Sequence, residues 1–372
     1  MNQCILHMGM PKTGTTSIQE SLYYGLQDPA FHYVGFVGNI SGFHAVPTIF
    51  GSSENPFFTN IQLGFSRHRI RHERRWLEWQ LERAMRQASH RGQRLILSAE
   101  SCWFMDQKGW QEFRRFMEAR RFTVSVIAYL RPWKQWLESH FQQRIRAGWG
   151  PIQALPDNPK ILDHKDRILK LEAVFGTDNV ELVKFERTNF PEGCVVQDFC
   201  GRVGIRFDPA LVIRANDSLN LPALRFLYSY RRFGAGLTLG RKAMIEYTLL
   251  VQRMDELRGP SMRFHSSLVE PILDMISPQR AWLEKRLGES WDEDIYRHDD
   301  SISIRDESDL LTYEPQDLDW LAKATGCKPS QDPREVSAQV HWLRCHPSTK
   351  ARLAHWATGN WQKINHLAGL IR

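Results

Sequence analysis

The sequence has little of what marks a secreted, zinc-holding or membrane-spanning chain. Cysteine is scarce, six in 372 residues (Cys4, Cys102, Cys194, Cys200, Cys327 and Cys345), and no two form a CxxC pair. That spacing argues against a disulfide framework or a zinc site and fits free thiols in a reducing compartment. No run approaches the roughly 18 apolar residues that a membrane span needs. The apolar stretch from Cys4 to Met8 is short, follows no basic segment and leads straight into a glycine loop. It does not read as a signal peptide, and the expected location is cytoplasmic. Internal repeats and low-complexity segments are absent from the sequence. Excess charge is modest too: 49 Lys and Arg against 42 Asp and Glu give a net charge of +7 and a pI of about 9.1. That balance suits an anionic ligand and lacks the dense basic character of a nucleic-acid partner.

What is present is ordinary globular material, 42% hydrophobic and 24% charged. The length suffices for one large domain or a domain with an appendage. Much of the basic excess lies in one tract, Arg67, Arg69, Arg71, Arg74 and Arg75, interleaved with His68 and His72. It reads as a solvated helix face, with an anion-binding surface as the alternative.

Pattern along the chain predicts strands at about 3–8, 32–37, 93–98, 122–130 and 179–185. The strongest is FTVSVIAYL, β-branched and almost uncharged, as expected of a central parallel strand. Helices are predicted at about 15–26, 69–90, 109–120, from Pro132 to about 147, and at 160–175. Residues 38–66, rich in Gly, Ser, Asn and Pro, read as a long loop. Strands alternating with helices argue for an α/β fold, a doubly wound parallel sheet flanked by helices. Beyond about 215 the pattern is mostly helical. After about 290 it turns polar and irregular, with a last helix near 348–370. The expected division is an α/β domain over 1–300 and a helical extension over 301–372.

The first strand feeds the loop Gly9-Met10-Pro11-Lys12-Thr13-Gly14, and Thr15, Thr16 and Ser17 open the next helix. Glycines there let backbone N–H groups face an anion, and the helix N-terminus adds its positive dipole end. Lys12 supplies a mobile cation, and the three hydroxyls supply donors. A nucleoside-triphosphate loop reads GxxxxGK followed by Ser or Thr. Here Gly9 and Gly14 keep that spacing, Thr15 stands where the Lys would, and the lysine sits inside the loop at position 12. No DxD or Walker-B-type carboxylate stands out, and no metal is expected. Beyond the fourth strand, Arg131 stands at the usual binding edge of such a sheet. Ser139, seven residues after Pro132, returns to the same helix face about two turns on. A guanidinium and a hydroxyl so placed can converge on one phosphate.

PKTGTTS resembles the 5'-phosphosulfate loop of sulfotransferases that use 3'-phosphoadenosine-5'-phosphosulfate, and HMGMPKTGTTSIQ is similar to bacterial members of that family. Arg131 with Ser139 resembles the family's 3'-phosphate motif. The resemblance covers residues 1 to about 205. It implies a donor site made of Pro11, Lys12, Thr13, Gly14, Thr15, Thr16, Ser17, Arg131 and Ser139, with Lys12 neutralising the leaving oxygen. The segment Asn216-Asp217-Ser218-Leu219-Asn220 also looks like a recurring family element, and Gln142 and Gln143 are candidate contacts. The implied reaction is transfer of a sulfonate group to a hydroxyl or amine of a small-molecule, saccharide or lipid-linked acceptor.

A base must take the acceptor's proton. Glu100, directly after the strand LILS, is the first candidate, at an edge where cytosolic sulfotransferases carry a His. The alternative for Glu100 is a structural salt bridge or a helix cap. His44 is the second candidate, with simple solvation as its alternative. Trp103, Trp133 or Trp149 could stack on a sugar ring, although core packing accounts for most tryptophans. The competing readings of the chain are a P-loop kinase and a nucleotide-binding protein without catalysis.

Overall fold

The computed structural model describes residues 2–10, 13–51, 57–147, 163–214, 219–234, 239–297, 299–300 and 302–347. Five strands, β1 (Asn2–Gly9), β2 (Phe31–Tyr33), β3 (Arg94–Ser98), β4 (Phe122–Leu130) and β5 (Val180–Lys184), form one sheet in the order β2-β3-β1-β4-β5. Every pairing is parallel. Register aligns Gly9 with Tyr129, His7 with Ser98 and Leu130 with Lys184. The C-terminal ends of β1, β3, β4 and β5 therefore share one edge.

Side-chain alternation gives each strand two apolar faces. Cys4, Leu6 and Met8 of β1 join Leu95, Leu97, Val126 and Ala128 in one core, whereas Ile5 joins Ile96, Ile127, Tyr129 and Val183 in the other. Burial on both faces is what a parallel sheet requires, and helices provide it. Helices α1 (Thr15–Gly25) and, late in the chain, Val195–Val203 cover the second core. The first core is covered by α2 (Ala45–Phe50), α4 (Arg67–His90), α5 (Gln107–Glu118), α6 (Trp133–Ala147) and α7 (His164–Phe175), while α3 (Phe58–Gln62) lies between α2 and α4 in the chain. The Val195–Val203 helix is α8.

The stretch 38–66, expected to be irregular, contains α2 and α3. The second strand is confined to Phe31–Tyr33, beginning one residue before the expected start and ending four before the expected end. The polar region after 290 is likewise more regular than expected. After α9 (Leu221–Phe233), α10 (Arg241–Met254), α11 (Ser266–Ile276) and α12 (Arg280–Leu287), the described residues among 288–306 are irregular. The chain then forms α13 (Glu307–Leu310), α14 (Pro315–Thr325) and α15 (Pro333–Cys345). Pro315 and Pro333 each sit in the first helical turn, where a missing N–H is harmless. These helices pack on α9: Phe226 stacks on Tyr313 and Trp320, with ring centroids 5.8 and 6.4 Å apart. The helix expected near 348–370 lies outside the described residues. Among the described residues no helix is long and apolar enough to cross a membrane.

Candidate functional site

A cleft of about 1560 Å³ opens along the C-terminal edge of the sheet. Its first wall is the loop after β1. Met10 N donates to Tyr129 O at 3.0 Å, and Thr13 Oγ1 folds back onto Met10 O at 2.7 Å. Gly14 ends the loop with φ +75, and a Cβ there would come within 2.5 Å of Val195 Cγ1 in α8. Only glycine meets both conditions. Gly14 offers no side-chain cap to α1, and Thr15, Thr16 and Ser17 line the cleft. Pro11 and Lys12 lie outside the described residues. Below the loop, His7 is fully buried, its Nδ1 2.8 Å from Ser98 Oγ, which also accepts from Gln19 Nε2 at 3.0 Å. Burial takes the His7 pKa down to about 3, so its ring is neutral.

Glu100 opens the short 3-10 turn Glu100–Phe104 beyond β3 and lines the same cleft. Thr15 Oγ1 donates to its Oε2 at 2.5 Å, so this carboxylate bonds to the first residue of α1, directly after the loop. His44 is placed differently. It is not among the cleft-lining residues; its ring faces Phe57, centroids 6.5 Å apart. Its Nδ1 is buried without a hydrogen-bond partner among the described residues, and burial lowers its pKa.

Arg131 and Ser139 both line the cleft, Arg131 just past β4 and Ser139 on α6. Burial pulls the Arg131 pKa down to about 10, opposed by the Glu138 carboxylate and reinforced by the Arg263 cation. The guanidinium still carries its charge at neutral pH. Ser139 is 3% exposed, and its hydroxyl has no hydrogen-bond partner among the described residues. Gln142, one turn on, is buried with Oε1 likewise unpartnered, and Gln143 lines the cleft beside it. Buried polar groups are nearly always satisfied, so two orphans facing one cleft point to a ligand or to water.

Other groups here gave no sequence signal. Glu138, buried on α6, accepts from Phe264 N and Arg263 Nη1, both at 3.0 Å. The irregular segment after α12 crosses the edge as a strap. Its Glu293 carboxylate accepts from Lys134 N at 2.9 Å and Gln135 N at 3.0 Å, capping α6. Burial raises the Glu293 pKa to about 7 against the pull of those two amides. Lys184, at the end of β5, holds the strap through Ser290 O at 2.9 Å, and Lys134 holds it through Ile295 O. Arg187, Arg263 and Arg297 add cationic lining. Only Arg187, two residues past Phe185 at a strand exit, stood where position alone could have suggested it.

Of the Asn216 to Asn220 segment, the first three residues lie outside the described ones. Asn220 caps α9, accepting from Ala223 N at 2.9 Å, and lines the cleft. Trp103 and Trp133 are core residues, Trp133 packing edge-on against Trp291 with centroids 5.8 Å apart. Trp149 lies outside the described residues. The basic tract forms the start of α4, and all of its arginines but Arg74 are exposed. Among the described residues no three His, Cys, Asp or Glu side chains gather as a metal site.

No protein-family model matches the chain. An uncharacterized protein of Archaeoglobus fulgidus is 28% identical over 180 residues, 48% of this chain and 48% of its own length. The chain thus spans about half the length of the curated relative it matches. Among solved structures, a sulfotransferase from Alicyclobacillus acidocaldarius is 15% identical, covers 77% of this chain and 97% of its own, and has a TM-score of 0.41. A sulfotransferase domain from the curacin biosynthetic pathway is 14% identical, with 74% and 98% covered and a TM-score of 0.32.

Proposed function

We propose that the chain is a sulfotransferase that takes its sulfonate group from 3'-phosphoadenosine-5'-phosphosulfate. The observation that carries this reading is that Gly14, Thr15, Thr16 and Ser17, at the start of α1, line one cleft together with Arg131 and Ser139. Two separated anion sites match a donor with a 5'-phosphosulfate and a 3'-phosphate. The residues fit such a group: the Ser139 hydroxyl is buried without a hydrogen-bond partner among the described residues, and so is Gln142 Oε1 beside it.

In this reading the donor supplies a sulfonate already activated as a mixed anhydride. The chain's task is to position, to neutralise charge and to move one proton. Thr15, Thr16 and Ser17, with the opening amides of α1, hold the 5'-phosphate. Lys12 balances charge on the leaving oxygen. Arg131 and Ser139 grip the 3'-phosphate. Glu100, tied to the loop through Thr15, takes the acceptor's proton. His44, the second candidate, is not among the residues that line the cleft, so this reading gives the step to Glu100. The acceptor is a small molecule or a saccharide- or lipid-linked group with a free hydroxyl or amine.

Calorimetric titration with 3'-phosphoadenosine-5'-phosphate, in parallel with magnesium-ATP, tests the donor. The reading expects micromolar-range binding of the bisphosphate, weakened in Arg131→Ala and in Lys12→Ala, and no comparable response to magnesium-ATP. Tight magnesium-ATP binding without a response to the bisphosphate would overturn it in favour of a kinase.

A further inference from the structure

The donor cleft leaves one conspicuous surface unused, the outer side of α4. Seven arginines and three glutamates lie within Arg67–His90, so one helix carries a surplus of four positive charges of the chain's seven. Two of the glutamates are already engaged, Glu73 with Arg69 at 3.8 Å and Glu82 with both Arg86 and Arg120. Arg71 and Arg75 are exposed and make no ion pair among the described residues.

Amid this charge stand two tryptophans that the core does not claim. Trp76 is 45% exposed and Trp79 43%, and their rings stack at 5.0 Å with an interplanar angle of 11°. The buried apolar residues of α4 (Ile70, Leu77, Leu81, Ala84, Met85, Ala88) occupy the opposite stripe at helical spacing. Both indoles therefore face outward, with Arg71, Arg75 and Arg83 around them. Arg83 reaches back over the Trp79 ring at 5.8 Å.

Exposed indoles beside arginines that make no ion pair among the described residues match the chemistry of an anionic lipid headgroup layer, where indoles sit at the water boundary and guanidinium groups meet phosphates. A polysaccharide is a poorer match. Sugars stack on open indole faces, and here the two rings cover each other. We propose that the outer face of α4 docks on anionic lipid bilayers, with Trp76 and Trp79 at headgroup level and Arg71 and Arg75 on lipid phosphates. The inner side of α4 bonds to the chain on either side of the cleft-lining residues Asn39, Ile40, Ser41 and Phe43: Gln80 Oε1 accepts from Val37 N at 2.6 Å, and Arg74 Nε donates to Thr48 O at 3.0 Å. The docking proposal is independent of what the cleft binds.

Flotation of the full chain with vesicles of phosphatidylcholine, with and without phosphatidylglycerol, tests the proposal. The chain should float with the phosphatidylglycerol vesicles alone. Trp76→Ser/Trp79→Ser and Arg71→Glu/Arg75→Glu should each weaken that binding by at least about tenfold. Unchanged thermal melting and unchanged bisphosphate affinity would show both variants folded; should the tryptophan pair destabilise the chain, the arginine pair alone decides. Absence of flotation overturns the proposal. So does binding that neither pair alters, or binding abolished by a soluble acidic polysaccharide but indifferent to the tryptophans.

Discussion

Thr15 Oγ1 and Glu100 Oε2 lie 2.5 Å apart, joined by a hydrogen bond between residues 85 positions distant in the chain. The bond ties the phosphate loop to the end of β3, so the proposed base and the proposed anion cradle are parts of one arrangement. Glu100→Gln keeps the acceptor oxygen for Thr15 and removes the basicity. It should lower transfer of labelled sulfate by about 10²–10⁴-fold, with bisphosphate affinity nearly unchanged. A fall in melting temperature with full turnover would instead assign Glu100 to structure.

Arg131 and Ser139 should separate by magnitude. Ser139→Ala removes one hydrogen bond to an anion and should weaken bisphosphate binding by about tenfold, on the basis of roughly 1.5 kcal/mol for such a bond. Arg131→Ala should cost about a hundredfold at the upper end of that range. Arg131→Lys should recover only part of the loss, because an ammonium lacks the planar fork. Calorimetry reads all three. Equal affinity in every variant would remove this pair from the donor site.

Glu293 predicts a pH dependence. Its folded pKa is raised from 4.5 to about 7, so the folded chain holds a proton that the unfolded chain releases earlier. That contribution is fully present below about pH 4.5 and is lost as pH rises to about 7. Melting temperature should accordingly carry a component that falls across this window in the native chain. Glu293→Gln stays uncharged, and its melting profile should lack that component. Parallel profiles in the two proteins would contradict the assignment.

Gly14 should not tolerate even a methyl group. A left-handed φ costs a non-glycine residue roughly 1–2 kcal/mol, and the Cβ would also meet Val195 Cγ1 at 2.5 Å. Gly14→Ala should lower the melting temperature and weaken bisphosphate binding. Adding Val195→Ala should relieve the collision but not the backbone strain, restoring part of the melting temperature. Full restoration would show that φ is immaterial here.

How legible these features were follows from the range of the forces that make them. FTVSVIAYL announces β4 by composition alone, and its bounds, Phe122–Leu130, match the predicted span. The loop with Gly9 and Gly14, and the spacing from Arg131 to Ser139, are local patterns that the sheet edge then gathers. Helices α2 and α3 escaped because six and five residues are too few to show a period, and α2 contains Pro47. Helix α9 falls in the stretch read as mostly helical, but it is buried on almost every side, so no polar stripe marked its bounds or the face it packs with. For α14 and α15 the start signals were present as Pro315 and Pro333, but a polar setting hid the core that Phe226 provides. Glu293 and Arg263 were beyond reach, since their partners lie 159 and 125 positions away.

That long reach bears on how the molecule comes into being. A ribosome releases β1 through α6 well before it has made residues 290–299. Until then the opening amides of α6 lack their Glu293 cap, and Lys134 and Lys184 lack the strap carbonyls they hold. A nascent chain can thus build its sheet early while the anion-binding edge stays unfinished, and the finishing piece arrives among the later parts of the chain. Truncation ahead of residue 290 should therefore yield a chain with much of its secondary structure and a loosened α6, a state visible as retained far-ultraviolet dichroism with early protease cleavage near α6.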